Sequence, residues 1–423
     1  MKITSTIFLV GSLSISFAQD PQVDSWMLNT SGTLASYEYY PGMPPTTQTV
    51  NMTDSADILQ VCYDNDYVYI RTNGLASYQM GPWEMNPNVP QAISSTYRFP
   101  RNPMEETGTK TPQPVVGALG VAKNGIKLYG AGDARSYNSG TGQNDGNGDG
   151  LWNGDAWASE GATMDASGSG HPDQNGNYHY HATPTALYAG PTNQHSPIIG
   201  WAFDGYPIYG PYGYSDSLDD QSTVVRMETS FQLRNITDRT ILPDGQTSTP
   251  PGPAINATFP LGTYWEDYEF VQGLGHLDEY NGRYCVTPDY PGGTYAYFIT
   301  MDGSGTPQFP YITGLEYYGQ ILNTNEIGGM AGNITIPASV TCVTTVSVEE
   351  NELDFSVYPN PATDILKVDG IDGAKYTIID QLGREISTGK VAGTIDISAF
   401  EGGSYMIRFE MNDLTSFRRF IKE

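Results

Sequence analysis

Residues 116–130 read VGALGVAKNGIKLYG. Two runs of small and apolar residues flank Asn124-Gly125, the preferred pair for a two-residue type I′ turn. The stretch predicts a β-hairpin. A second hairpin is written upstream in ILQVCYDNDYVYIRTNG, residues 58–74, around a tight Asp-Asn-Asp. Strand-like runs resume at SPIIGWAF (196–203), GTYWEDYEFV (262–271) and GTYAYFITMDG (293–303). Between them the chain is rich in turn residues, with 48 Gly and 29 Pro, and it carries 30 Tyr. Tyrosine favours strands, and glycine and proline favour turns. The fold class read from these features is mainly β, a large irregular β-rich domain with long Gly/Asp-rich loops. DAWASEGATMD, residues 155–165, is the one short helix expected there, capped by Asp155.

The ends of the chain read differently. Residues 1–18 carry Lys2, a short apolar run and Ser16-Phe17-Ala18. That is the pattern of a secretory signal peptide. Residues 19–56 read as a polar, turn-rich N-terminal arm. Residues 57–343 are the main domain, and TTVSVEENELD (344–354) is a linker. Residues 355–423 alternate strands and Gly-containing turns, as in a small Ig-like β-sandwich. No apolar run is long enough to cross a bilayer. The net charge is −27, which repels phosphate backbones and argues against nucleic-acid binding.

All five histidines, His171, His179, His181, His195 and His276, fall within 171–276. Residues 176–184 read GNYHYHATP. In a strand, alternation puts His179 and His181 on one face and Tyr178 and Tyr180 on the other. The tyrosines would pack on the core and the imidazoles would converge on a cleft. Neutral imidazole is a ligand for zinc, copper and related ions. His171, His179 and His181 with a carboxylate from Asp165 or Glu160 would make three or four ligands. Three with an open position is the catalytic pattern, and four closed the structural one. A histidine beside tyrosine in a strand can also simply hydrogen-bond in a polar core.

A divalent metal ion is therefore expected, with zinc or copper favoured and calcium admitted. His195, His276, Asp145, Asn147 and Asp149 are weaker ligand candidates. The last three begin DGNGDGLWNGDA (145–156) like an EF-hand loop, but Ala156 stands where a bidentate Glu belongs. If the site is catalytic, Glu160, Asp165 or Asp204 would act as base to a metal-activated water in hydrolase-like chemistry. The chain has no Gly-x-Ser-x-Gly and no dinucleotide fingerprint. Two non-catalytic readings stand beside this one. Trp152, Trp157, Trp201 and Trp265 could stack on a glycan or peptide, although core packing is the commoner use of such rings. A calcium-ordered structural surface module is the other. Cys62, Cys285 and Cys342 allow one disulfide. The pairing is open, and chain order alone suggests Cys285 with Cys342.

Two resemblances follow. GALGVAKNGIKLYG, GHPDQNGNYHYH, PIIGWAFDGYPIYGPYG, LDEYNGRYCVTPDYPGGTYAYFIT and FPYITG occur in that order. Together they resemble the YHYH-domain family of exported bacterial proteins, from about Val61 to about Gly319. That resemblance names a domain and supplies no mechanism. VYPNPATD, DQLGRE and GGSYMIRF resemble the type A C-terminal sorting domain of the type IX secretion system. This implies Sec export, then handling by the type IX translocon. It further implies release, or attachment to the outer cell surface, after removal of the tail.

Overall fold

The computed structural model describes residues 20–188, 190–343, 355–380, 384–411 and 414–422. The signal peptide at 1–18 and the linker at 344–354 lie outside the described residues. The chain divides into two units, with the boundary between Val343 and Thr344.

The protein is mainly β. The Asn124-Gly125 hairpin forms from strands Ala118–Ala122 and Lys127–Tyr129. Its turn differs from the type I′ expectation. Only Gly125 takes positive φ, at 84°. Ala122 N–H donates to Ile126 O at 2.8 Å, and Gly125 N–H to Ala122 O at 2.7 Å. The loop is thus three residues long, a turn closed by a left-handed glycine bulge.

That hairpin sits at the middle of an eight-stranded sheet. The strands run in the order Gly170–Pro172, Tyr178–Tyr180, Lys127–Tyr129, Ala118–Ala122, Ile198–Ala202, Pro207–Tyr209, Thr294–Phe298, Gly282–Cys285. The sheet is internally duplicated. The second hairpin repeats the first in register: Ala118 pairs with Tyr129 and Gly120 with Leu128, as Ile198 pairs with Tyr209 and Gly200 with Ile208. Both carry a register shift at the same place. Where the hairpins meet, Val121 faces Trp201, with Gly120 opposite Ala202 and Ala122 opposite Gly200. A pseudo-twofold axis therefore passes through the Val121–Trp201 pair.

The flanking strands obey the same axis. Tyr180 lies beside Leu128 in parallel register, and Tyr297 beside Ile208. Outermost, His171 pairs with His179, and Arg283 with Ala296. Residues Tyr178-His179-Tyr180-His181 thus correspond to Tyr295-Ala296-Tyr297-Phe298. The tyrosines keep their partners. Tyr178 donates to Asp165 at 2.6 Å and Tyr295 to Asp278 at 2.9 Å. Tyr180 accepts from Asn124 at 2.9 Å, and Tyr297 donates to Asp204 at 2.5 Å. Burying these rings supplies apolar area, and each hydroxyl finds a polar partner, as buried polar groups require.

Residues 20–55 are more than an arm. Pro21–Asp24 is a helical turn, and Leu34–Tyr39 pairs with Gln48–Ser55. Trp26 and Ala35 are buried, so the segment packs on the core instead of leading into it. The hairpin predicted at 58–74 forms from Ile58–Tyr63 and Tyr67–Thr72. On its other edge Thr341–Cys342 pairs with the first of these strands, placing Cys342 opposite Cys62. The disulfide is Cys62–Cys342, and Cys285 is a buried free thiol. This corrects the Cys285–Cys342 expectation. Chain order carries no information about which strand edge the terminal segment joins.

The second unit holds a three-stranded sheet and a four-stranded sheet. The first orders Ser356–Tyr358, Ile365–Asp369 and Thr394–Asp396. The second orders Glu385–Lys390, Lys375–Ile379, Gly403–Met411 and Leu414–Lys422. Leu366, Val368, Ile378, Ile395, Ile407, Phe409 and Phe420 form its core. The arrangement is sandwich-like, as alternation predicted. Among the described residues, no helix is long and apolar enough to cross a membrane.

Candidate metal centre

Three imidazoles converge at one edge of the central sheet. His171 lies on the outermost strand, directly across from His179 on its neighbour. His181 follows two residues on, on the same face. All three are buried, at 6%, 4% and 2% exposure. Their ligand atoms lie within 4.8 Å of one another, and no other such group of three or more His, Cys, Asp or Glu occurs among the described residues. Tyr129 walls the site, stacked on His179 with centroids 4.1 Å apart and edge-on to His181 at 5.6 Å.

The outer hydrogen bonds fix each ring's tautomer. His179 Nδ1 meets the carbonyl of Asn177 at 3.0 Å, and His181 Nδ1 that of Gly130 at 2.8 Å. A carbonyl only accepts, so each Nδ1 carries the proton. Thr163 Oγ1 gives its hydrogen to Glu160 O at 2.8 Å. Toward His171 Nδ1, 2.7 Å away, it therefore accepts. With the Nδ1 protons so placed, each Nε2 offers a lone pair. Burial pushes the imidazoles to stay neutral. His171 falls to about 3, through burial and then His181. His181 falls to about 4 through burial, and His179 also falls, through burial and its two neighbours.

Glu160 lies beside this group as a candidate fourth donor. It ends the short helix Ala156–Glu160, capped as predicted by Asp155, which accepts from Ala158 N–H at 2.8 Å. Tyr311 clamps that cap by donating to Asp155 at 2.8 Å. Glu160 Oε2 stands 3.5 Å from both His171 Nε2 and His181 Nε2. Burial, with Asp133 nearby, raises its carboxyl to about 7, while Arg135 pulls it down.

The other candidates lie elsewhere. Asp165 is committed to Gly81 N–H at 3.0 Å, Gly168 N–H at 2.7 Å and the Tyr178 hydroxyl. Tyr178 points away from the imidazole face, so Asp165 belongs to the tyrosine side of the strand. Asp204 is buried against Tyr297 and Gly319. His195 packs between Tyr209 and Tyr214. His276 accepts from Glu228 N–H. Asp145 and Asp149 cap their own loop through Asn147 N–H and Ser139 N–H. Trp152, Trp201 and Trp265 are core residues. Sequence reasoning passed over Thr163, Gly130 and Tyr129. Their roles depend on contacts that no local pattern spells out.

A duplicated β domain with three converging histidines, followed in the chain by a two-sheeted tail, defines the class. The chain belongs to the YHYH protein family, whose model matches residues 96–311. Residues 356–423 match the secretion system C-terminal sorting domain. The protein is exported through the type IX system, and is secreted or attached to the outer surface. No curated protein matches this chain.

Proposed function

We propose that this exported protein binds one divalent transition-metal ion, zinc or copper, through His171, His179, His181 and Glu160. The observation that carries the reading is the opposed pair of lone pairs on His179 Nε2 and His181 Nε2, 3.1 Å apart. Neither nitrogen has a proton to share, because each ring spends its own on a carbonyl. A proton placed between them would charge a buried ring. A cation resolves the conflict. Three of the six donor separations, 3.1, 3.5 and 3.5 Å, lie around the ~3.3 Å edge of a tetrahedron with bonds of about 2.0–2.1 Å. Imidazoles whose far nitrogens are tied to backbone or hydroxyl oxygen are the usual outer arrangement of metal-bound histidine.

Elemental analysis of the purified protein tests this. The expected result is about one equivalent of zinc or copper, lost in the His179→Ala/His181→Ala double variant. Undiminished metal in that variant would remove the assignment.

A second reading, glycan binding, draws on one surface feature. Trp157, Phe231, Tyr268, Phe309 and Tyr311 line a cleft of about 500 Å³ together with Gln232 and Gln308. Aromatic faces beside amides suit sugar stacking. Glycan-array binding that persists after chelation and is lost in Phe231→Ala would favour it.

A further inference from the structure

The internal duplication gives the candidate metal centre a counterpart within the same sheet. The counterpart of His171 is Arg283, that of His179 is Ala296 and that of His181 is Phe298. Tyr129, which walls the histidines, corresponds to Tyr209, which stacks on Phe298 with centroids 5.7 Å apart. In the second half a guanidinium therefore projects from the strand position that bears a ligand imidazole in the first. Arg283 lies over the Phe298 ring at 5.6 Å and beside the Cys285 thiol. It donates to the carbonyl of Tyr214. It thus ties the outermost strand, Gly282–Cys285, to the strand Tyr212–Tyr214.

From this correspondence we propose that the ion in the first half is a structural staple, the counterpart of the Arg283 cation, and not a catalytic centre. The inference rests on the metal reading above and adds the ion's role. Two further observations carry it. The candidate donors number four, three buried imidazoles with Glu160 Oε2 3.5 Å from His171 Nε2 and His181 Nε2, the number of structural sites, whereas catalytic sites keep one position for water. The ligands also come from separate pieces of chain. His171 is on the outer strand, His179 and His181 lie on and just beyond its neighbour, and Glu160 is at the end of the helix that interrupts the long excursion from Gly132 to Ser169. Of that excursion, only Gly132–Asn138, Gln143–Asp145, Asn153–Asp155, Ala156–Glu160 and the turn Gly161–Thr163 are regular. An ion bonded to Glu160 and His171 pins the excursion's helix to the sheet edge, as Arg283 pins its own edge through Tyr214.

Two measurements on the full chain test the role. The first is hydrogen exchange of peptides covering 156–181, with and without a chelator. Removal of the ion is expected to speed exchange there at least tenfold and leave 282–298 unchanged. Arg283→Met is expected to do the reverse, loosening 282–285 while metal content stays at one equivalent. The second is cobalt substitution. A closed site keeps its visible spectrum when azide is added, and an open one shifts. Metal that binds but leaves 156–181 indifferent to chelation, or a cobalt spectrum that moves with azide, overturns the structural role while sparing the site. A protein with no bound metal overturns both.

Discussion

His179 Nε2 and His181 Nε2 face each other across 3.1 Å, while the other nitrogen of each ring already meets a backbone carbonyl. Strand alternation explains why the two rings share a face, and the carbonyls of Asn177 and Gly130 explain why both lone pairs point inward.

Thr163 holds the third ring by the same logic, since its hydroxyl hydrogen is spent on Glu160 O. Thr163→Val removes the acceptor for His171 Nδ1 and frees that ring to flip tautomer. Loss of such an outer partner costs about 10–100-fold in metal affinity. Competition against a chromophoric chelator should show that drop, with the fold intact by circular dichroism. Unchanged affinity would mean the tautomer is set by something else.

Asp204 gives a pH prediction independent of the metal. Burial raises its carboxyl to about 6, against hydrogen bonds from Tyr297, Gly319 and Tyr206 that pull it down. The folded chain holds this proton to higher pH than the unfolded chain does. The aspartate therefore costs stability progressively as pH rises from about 4 to about 6, and in full above that, by roughly 2–3 kcal/mol. Asparagine has no such cost, and Asn124 already fills the equivalent place in the first half. Asp204→Asn should gain on the parent chain between pH 4.5 and pH 8 in urea titrations. A pH-independent difference would contradict the argument.

The Cys62–Cys342 bridge closes a loop of sequence separation 280. A long closed loop restricts the unfolded chain strongly, and losing such a bridge typically costs 2–5 kcal/mol. Cys62→Ser and Cys342→Ser should each lower the denaturation midpoint, and reductant should then have no further effect. Cys285→Ser, at a buried free thiol, should leave the response to reductant intact. A reductant-insensitive Cys285→Ser protein would point to a different pairing.

Deleting 355–423 removes the sandwich that matches the sorting domain. The truncated protein should accumulate in the periplasm, as read by fractionation and surface proteolysis. Normal surface display would show that the export signal lies elsewhere.

Much of this was legible in the sequence, and the limits have physical causes. Both early hairpins, the Asp155 cap and the shared face of His179 and His181 follow from local turn and alternation rules. Asp165 misleads because it is close in sequence to the ligands, yet the Tyr178 hydroxyl captures it on the opposite side of the strand. The disulfide depends on which edge a terminal strand joins, a long-range matter. The duplication was written in GVAKNGIKLYG (120–130) and GWAFDGYPIYG (200–210), which align without a gap. Reading each segment separately for strand signals hides the match, because only its three glycines, Ala122/Ala202 and Tyr129/Tyr209 are identical. Setting YHYH over YAYF would have shown that the histidines replace ordinary core residues.

The most direct test is X-ray absorption of the protein purified without chelators. The account predicts a zinc or copper edge at about one equivalent. It further predicts a first shell of three nitrogens and one oxygen near ~2.0–2.1 Å and the outer scattering of imidazole rings. A metal-free protein, or a shell without imidazole scattering, would contradict it.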